Sequence, residues 1–114
     1  MITRRTAVGL VAAAAAAATG LPFAPAAARD PVVIEIRRFK YAPERRAVRA
    51  GDVVVWKNLD IVPHTATAKD GSWDSGTIKS GGEWKMTVTE ATVGDYYCRH
   101  HPSMVASLDI VDRQ

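Results

Sequence analysis

Beyond residue 30 the chain reads as a series of short runs in which apolar and polar positions alternate. After an apolar start, Val33, Glu35 and Arg37 alternate with Ile34, Ile36 and Arg38, the period-two pattern of a half-buried strand. Tyr41-Ala42-Pro43 reads as a turn. Residues 45–50 carry one large apolar side chain, Val48, and read as a short edge strand ending at the turn signal Gly51-Asp52. Val53-Val54-Val55-Trp56-Lys57-Asn58 is the strongest strand signal, with three β-branched residues and an aromatic. His64 to Ala68 alternates weakly, residues 69–76 read as loop, and Thr77-Ile78 is expected to pair briefly. Glu83 to Thr89 alternates with Trp84, Met86 and Val88 on one face. In the strand expected from Thr92 to Cys98, Tyr96 shares a face with Cys98. From Met104 to Val111, Met104, Ala106, Leu108 and Ile110 oppose Val105, Ser107, Asp109 and Val111. No run beyond residue 30 holds a helical stripe. Seven or eight short strands with frequent Gly, Pro, Asn and Asp between them predict an all-β protein, an antiparallel Greek-key β-sandwich.

The first 28 residues follow a different pattern. Thr3-Arg4-Arg5 is basic, residues 6–28 are uncharged and rich in alanine, and Ala26-Ala27-Ala28 precedes the charged pair Arg29-Asp30. This is the layout of a secretory signal peptide with a small-residue cleavage site. A membrane anchor is the alternative, because the uncharged run is long enough to span a bilayer; the weak hydrophobicity of alanine, with Pro22 and Pro25, argues against it. Arg4-Arg5 after a threonine also fits a twin-arginine signal. The expected organisation is therefore a signal at 1–28 and one domain at 29–114, exported, with the periplasm as destination and no membrane insertion after cleavage.

Charge adds little. Fifteen basic against twelve acidic side chains give the 114-residue chain a net charge of +3. Without Arg4 and Arg5 the balance is 13 against 12, which argues for neither nucleic acid nor an anionic membrane as a partner. Cysteine adds more. Cys98 is the only one in the chain, so an exported domain has a lone thiol and no internal disulfide. A buried, inert cysteine is one reading.

The neighbours of Cys98 favour another. In Cys98-Arg99-His100-His101-Pro102-Ser103-Met104 a thiol, an imidazole and a thioether recur every third residue. Two imidazoles and a thiolate, with a weak axial thioether, make a blue-copper site. The best candidate for the second imidazole is His64, in Val62-Pro63-His64-Thr65. The candidate ligands of one type 1 copper ion are thus His64, Cys98, His101 and Met104. His100, next to His101, is expected to face solvent. Met86 and the three tryptophans are expected in the core or at its rim. Pro102 lacks an N–H and cannot donate to the Cys98 sulfur.

These residues, with Phe39-Lys40-Tyr41 and Pro43, Gly51 to Asn58, Pro63-His64-Thr65 and Thr89-Glu90-Ala91, make residues 32–111 resemble the cupredoxin family, most of all its amicyanin and plastocyanin-like branch. The resemblance implies the same four ligands, with His101 at the solvent edge, and the short Cys98–Met104 loop is of the amicyanin kind. Three positions depart from the pattern. Thr65 stands where relatives often have an asparagine that bonds across to the cysteine loop, Gly94 stands where an aromatic is usual, and His100 stands where proline is frequent.

The function expected is that of a small exported blue copper protein that shuttles single electrons by cycling Cu(I) and Cu(II). A periplasmic copper carrier or store would use the same residues, and a metal-free binding module would leave Cys98 incidental. Three histidines are too few for a second catalytic copper cluster, and no Ser-His-Asp or paired-carboxylate arrangement stands out, so an enzyme is not expected. The resemblance implies redox partner proteins, an amine-oxidising dehydrogenase as donor and a c-type cytochrome as acceptor, met by a monomer. Val62, Pro63, Pro102 and Ser103 are expected around the exposed metal edge, with Arg99 and His100 adding positive charge.

Overall fold

The computed structural model describes residues 29–111; the predicted signal segment lies outside the described residues. Eight strands follow one another, with no helix among the described residues. They are β1 (Val32–Arg37), β2 (Lys40–Ala42), β3 (Arg45–Arg49), β4 (Val53–Asn58), β5 (Thr67–Ala68), β6 (Glu83–Thr87), β7 (Asp95–Tyr97) and β8 (Val105–Val111). They form two four-stranded sheets, β2-β1-β4-β6 and β3-β8-β7-β5. The expected sandwich is present, but both sheets are mixed rather than purely antiparallel: β1 runs parallel to β4 and β3 parallel to β8. The reason is the crossing. After the β1–β2 hairpin the chain passes to the second sheet to lay down β3, then returns to place β4 beside β1. A connection through the opposite sheet, unlike a tight hairpin, brings the next strand back in the same direction.

The alternation does what the sequence implies. Val32, Ile34 and Ile36 point inward from β1 and meet Val54 and Trp56 of β4. Tyr96, Leu108 and Val48 face them from the other sheet. Each fully buried aliphatic side chain contributes about 1.5–3 kcal/mol, so these few strands carry most of the core. Trp56 is completely buried, with its ring 5.4–5.5 Å from those of Trp73, Trp84 and Tyr96. The outer strands are short or charged, as in Arg45, Arg46 and Arg49 of β3, which discourages pairing with a second chain.

Two segments differ from the sequence reading. Tyr41 is not in a turn but in β2, buried against Tyr96, because the turn lies earlier at Arg38-Phe39. Both of those residues have positive φ, 51° and 64°, as a two-residue hairpin loop of the tightest kind requires. The strand expected from His64 pairs regularly only at Thr67–Ala68. Its first half makes a bridge to Ile78, as anticipated for that residue, and a second bridge joins Thr67 to Asp74. Residues 64–78 thus fold back on themselves.

Asp52 closes the β3–β4 turn, accepting from the Arg49 amide at 2.9 Å and from Arg29 Nε at 2.6 Å. Burial pushes its carboxyl up, but the Arg49 amide and the Arg29 guanidinium outweigh that and hold it below the ordinary value. A depressed folded pKa stabilises the fold above the unfolded value near 4; that contribution is lost as pH falls through the folded value. The parent protein should therefore be more stable than Asp52→Asn at pH 7, and the gap should close below about pH 4. Urea melts of both proteins between pH 7 and pH 2.5 check this; a gap that stays constant contradicts it.

Candidate metal centre

The loop after β7 is built from three backbone bonds that explain the spacing of three. Cys98 C=O accepts from the His101 amide (3.2 Å), and His101 C=O accepts from the Met104 amide (2.8 Å). Met104 C=O accepts from the Cys98 amide (3.1 Å), closing the loop where β8 begins. Two successive turns therefore hold the three side chains of one short segment together. Cys98 and Met104 are buried, and His101 is half-buried at the rim.

His64 arrives from the other side. Asn58, at the end of β4 and fully buried, donates to Val62 C=O and Ile78 C=O and accepts from the Asp60 amide. This shapes the 58–64 loop so that Asp60 Oδ2 lies 2.9 Å from His64 Nε2. The carboxylate also accepts from the Phe39 and Ile61 amides. The His64 hydrogen bond, then the Phe39 amide, hold the Asp60 carboxyl below its usual value. An ionised Asp60 can only accept, so Nε2 is the nitrogen that donates to it, and in the neutral ring that a metal ligand requires Nδ1 holds the lone pair.

That lone pair faces Cys98. His64 Nδ1 is 3.7 Å from Cys98 Sγ and His101 Nδ1 is 3.6 Å from it. The three donor atoms lie within 4.8 Å of one another, the one such group among the described residues. A thiolate with two imidazoles is a donor set that suits copper, and a buried thiol with two ring nitrogens turned toward it fits a bound ion better than an inert core cysteine. Met104 closes the same loop and is buried. His100 stays out, exposed, with Nε2 3.2 Å from Thr77 Oγ1.

Thr65 fills the place where relatives often have asparagine. Its amide donates to Cys98 Sγ at 3.3 Å, and its hydroxyl accepts from the Arg99 amide at 2.8 Å. A threonine therefore makes the bridge to the cysteine loop. Arg99 is paired with Asp74 at 3.1 Å, so it adds less positive charge to the rim than its presence in the sequence suggests.

Two contributors were not assigned a role from sequence. Asp60 lies just past the strand signal that ends at Asn58 and carried no reading of its own, although its position four residues before His64 is the available signal. Phe39 was legible only as part of a resemblance. In the structure its ring meets both imidazoles edge-on, 5.4 Å from His64 and 4.7 Å from His101. A bulky residue at positive φ is uncommon, and here that conformation sets the ring over the site.

Comparison with known proteins agrees with this geometry. The family model described as copper binding proteins, plastocyanin/azurin family, matches residues 28–111. Amicyanin from Paracoccus denitrificans is 33% identical over 89 residues, covering 73% of this chain and 68% of that protein. Amicyanin from Paracoccus versutus is 30% identical over 80 residues, covering 66% of this chain and 61% of that one. Among solved structures, an oxidised methionine-to-leucine variant of amicyanin superposes with a TM-score of 0.65 at 27% identity, covering 75% of this chain and 88% of that one. A purple cupredoxin from Nitrosopumilus maritimus gives 0.62 at 25% identity, covering 69% and 98%.

Proposed function

The chain belongs to the plastocyanin/azurin family of copper-binding proteins, and from that premise we propose that it is a small electron carrier, not an enzyme, with one copper ion held by His64, Cys98, His101 and Met104. The observation that carries this reading is the convergence of two imidazole nitrogens on one buried sulfur, 3.6 and 3.7 Å away. Copper, when bound, supplies the one-electron couple between Cu(I) and Cu(II).

The protein's part is to hold the donors still. Asp60 fixes the tautomer and plane of His64, a carboxylate–histidine arrangement that also raises the basicity of the ligating nitrogen. Thr65 donates to the sulfur. Pro102 has no N–H and so offers the sulfur no second donor, which leaves charge on the thiolate and favours the oxidised state. Replacing Asp60 with alanine should weaken copper binding roughly tenfold to a hundredfold, the usual effect of losing such a partner. Competition with a chelator of known affinity measures it, and an unchanged affinity would remove Asp60 from this role.

Electrons would enter and leave at the rim. His101, half-buried, is the most accessible member of the set, and Pro63, Pro102 and Ser103 are exposed. Phe39 (46% exposed) and Ile61 (89%) extend this apolar edge. A partner docking there would approach the imidazole directly. The likeness to amicyanin makes an amine-oxidising dehydrogenase and a c-type cytochrome the donor and acceptor to try first. Residues 1–28 are read as an export signal and the periplasm as the working compartment.

Titrating the purified protein with Cu(II) tests the reading. One equivalent should give an intense blue thiolate-to-copper band and a narrow copper hyperfine splitting in EPR. A colourless complex or rapid oxidation of Cys98 overturns it. Slow exchange of bound copper separates an electron carrier from a copper store, which must release its metal.

A further inference from the structure

We propose that Asp74 is a positioning residue for the Cys98 loop, acting through the hydroxyls of Thr67 and Thr65 rather than by touching any proposed copper ligand. This rests on the copper reading above for its consequence, but not for its first test.

The atoms form a closed ring. The Arg99 amide donates to Thr65 Oγ1 at 2.8 Å. Thr65 Oγ1 lies 2.9 Å from Thr67 Oγ1, and Thr67 Oγ1 donates to Asp74 Oδ1 at 2.9 Å. Asp74 Oδ2 meets the guanidinium of the same Arg99 at 3.1 Å, so the ring returns to the residue where it started.

Proton counting gives the ring a direction. An ionised carboxylate only accepts, and each threonine hydroxyl has one proton. Thr67 spends its proton on Asp74, so Thr65 must donate to Thr67, and the Thr65 oxygen is left to accept from Arg99. The carboxylate is held for this task. The Gly76 amide also donates to Oδ1 at 3.0 Å, and the bridge between Thr67 and Asp74 fixes the backbone.

The reach of the ring is set by Thr65. Its amide donates to Cys98 Sγ, its carbonyl accepts from the Tyr41 hydroxyl and its side chain is the ring member, so each of its polar groups is engaged. Thr65 and Thr67 are buried (0% and 4% exposed), where such chains reinforce one another. The Arg99–Asp74 pair is exposed (44% and 40%) and by itself holds little. The threonine chain is therefore what carries the position of Asp74 to the segment that begins at Cys98.

The test uses Thr67→Val, Thr67→Ser and Asp74→Ala in the full protein. In the copper-free state, hydrogen exchange of the Arg99 amide, followed by NMR, should speed up about tenfold in Thr67→Val and Asp74→Ala, the equivalent of one net hydrogen bond. Thr67→Ser, which keeps the hydroxyl, should match the parent. With copper bound, the first two variants should show a lowered reduction potential, because the Thr65 donation to sulfur is held less firmly, and a shifted thiolate-to-copper band. The double variant should go no further than the stronger single one. Unchanged Arg99 exchange, Thr67→Ser behaving like Thr67→Val, or additive effects in the double variant each overturn the proposal. A parent that fails to take copper overturns the metal reading and leaves the exchange result to decide this one.

Discussion

Cys98→Ser should abolish the intense visible band completely while leaving a folded protein. The sulfur accepts the Thr65 amide and faces both imidazole nitrogens; it is the one soft, ionisable donor of the set. A serine hydroxyl stays protonated at neutral pH and is a hard ligand, so neither the charge-transfer transition nor strong copper(I) binding survives. The fold should tolerate the change, since serine is smaller than cysteine and its oxygen can accept the same amide. The copper-free variant is expected to lose about 1 kcal/mol, a melting shift of roughly 4–8 °C for a domain of this size. His100→Ala is the control: exposed and outside the donor group, it should keep the band. Absorption, EPR and thermal melts of the three proteins check this. A blue Cys98→Ser protein, or loss of the band in His100→Ala, would contradict the assignment.

The contrast between Cys98 and His100 shows which parts of the site were legible. Spacing alone placed Cys98, His101 and Met104 on one loop, because three-residue spacing is what two consecutive turns produce. It also excluded His100, whose neighbour points the other way. The alternation along β1, β6 and β8 gave their inward faces directly, since a strand with one buried face must alternate. What could not be read were features that depend on distant backbone. Asp60 and Phe39 reach the site because the 58–64 loop and the β1–β2 turn meet in space, and nothing in either segment alone announces that. The parallel pairings of β1 with β4 and β3 with β8 likewise follow from the crossing between sheets, which local pattern does not encode. Thr65 lay between the two cases. Its place was legible as the one where relatives often have a bridging asparagine, while its own partners, thirty-four residues away at Arg99 and two at Thr67, required the fold.

Gly94 carries the second large effect. From sequence it was only a departure, a glycine in place of an aromatic. The structure gives it a reason: a Cβ built on Gly94 would lie 2.0 Å from Leu108 O and 3.1 Å from Leu108 C. These are backbone atoms of β8, a central strand, so no side-chain rotation relieves the clash. The Leu108 amide also donates to Gly94 C=O at 2.9 Å, and the shift needed to admit a methyl group would strain that bond as well. Gly94→Ala should therefore destabilise the protein by about 3 kcal/mol, the upper range for overpacking, a fall of roughly 12–24 °C in melting temperature. Alanine elsewhere on the surface, as in Gly71→Ala, meets no atom within 4 Å; there the cost comes from its φ of +80° alone, and about 1 kcal/mol is expected. The damage at Gly94 should also reach the metal. β7 leads into Cys98 and β8 leads out of Met104, and the two strands are paired from Asp95–Ser107 to Tyr97–Val105. Forcing them apart at Gly94 loosens both ends of the ligand loop, whereas the turn at Gly71 touches neither. Melting curves of the copper-free variants, with copper titrations beside them, decide the matter: Gly94→Ala should melt well below Gly71→Ala and bind copper more weakly. Equal melting temperatures would show that β8 yields to the methyl group without loss.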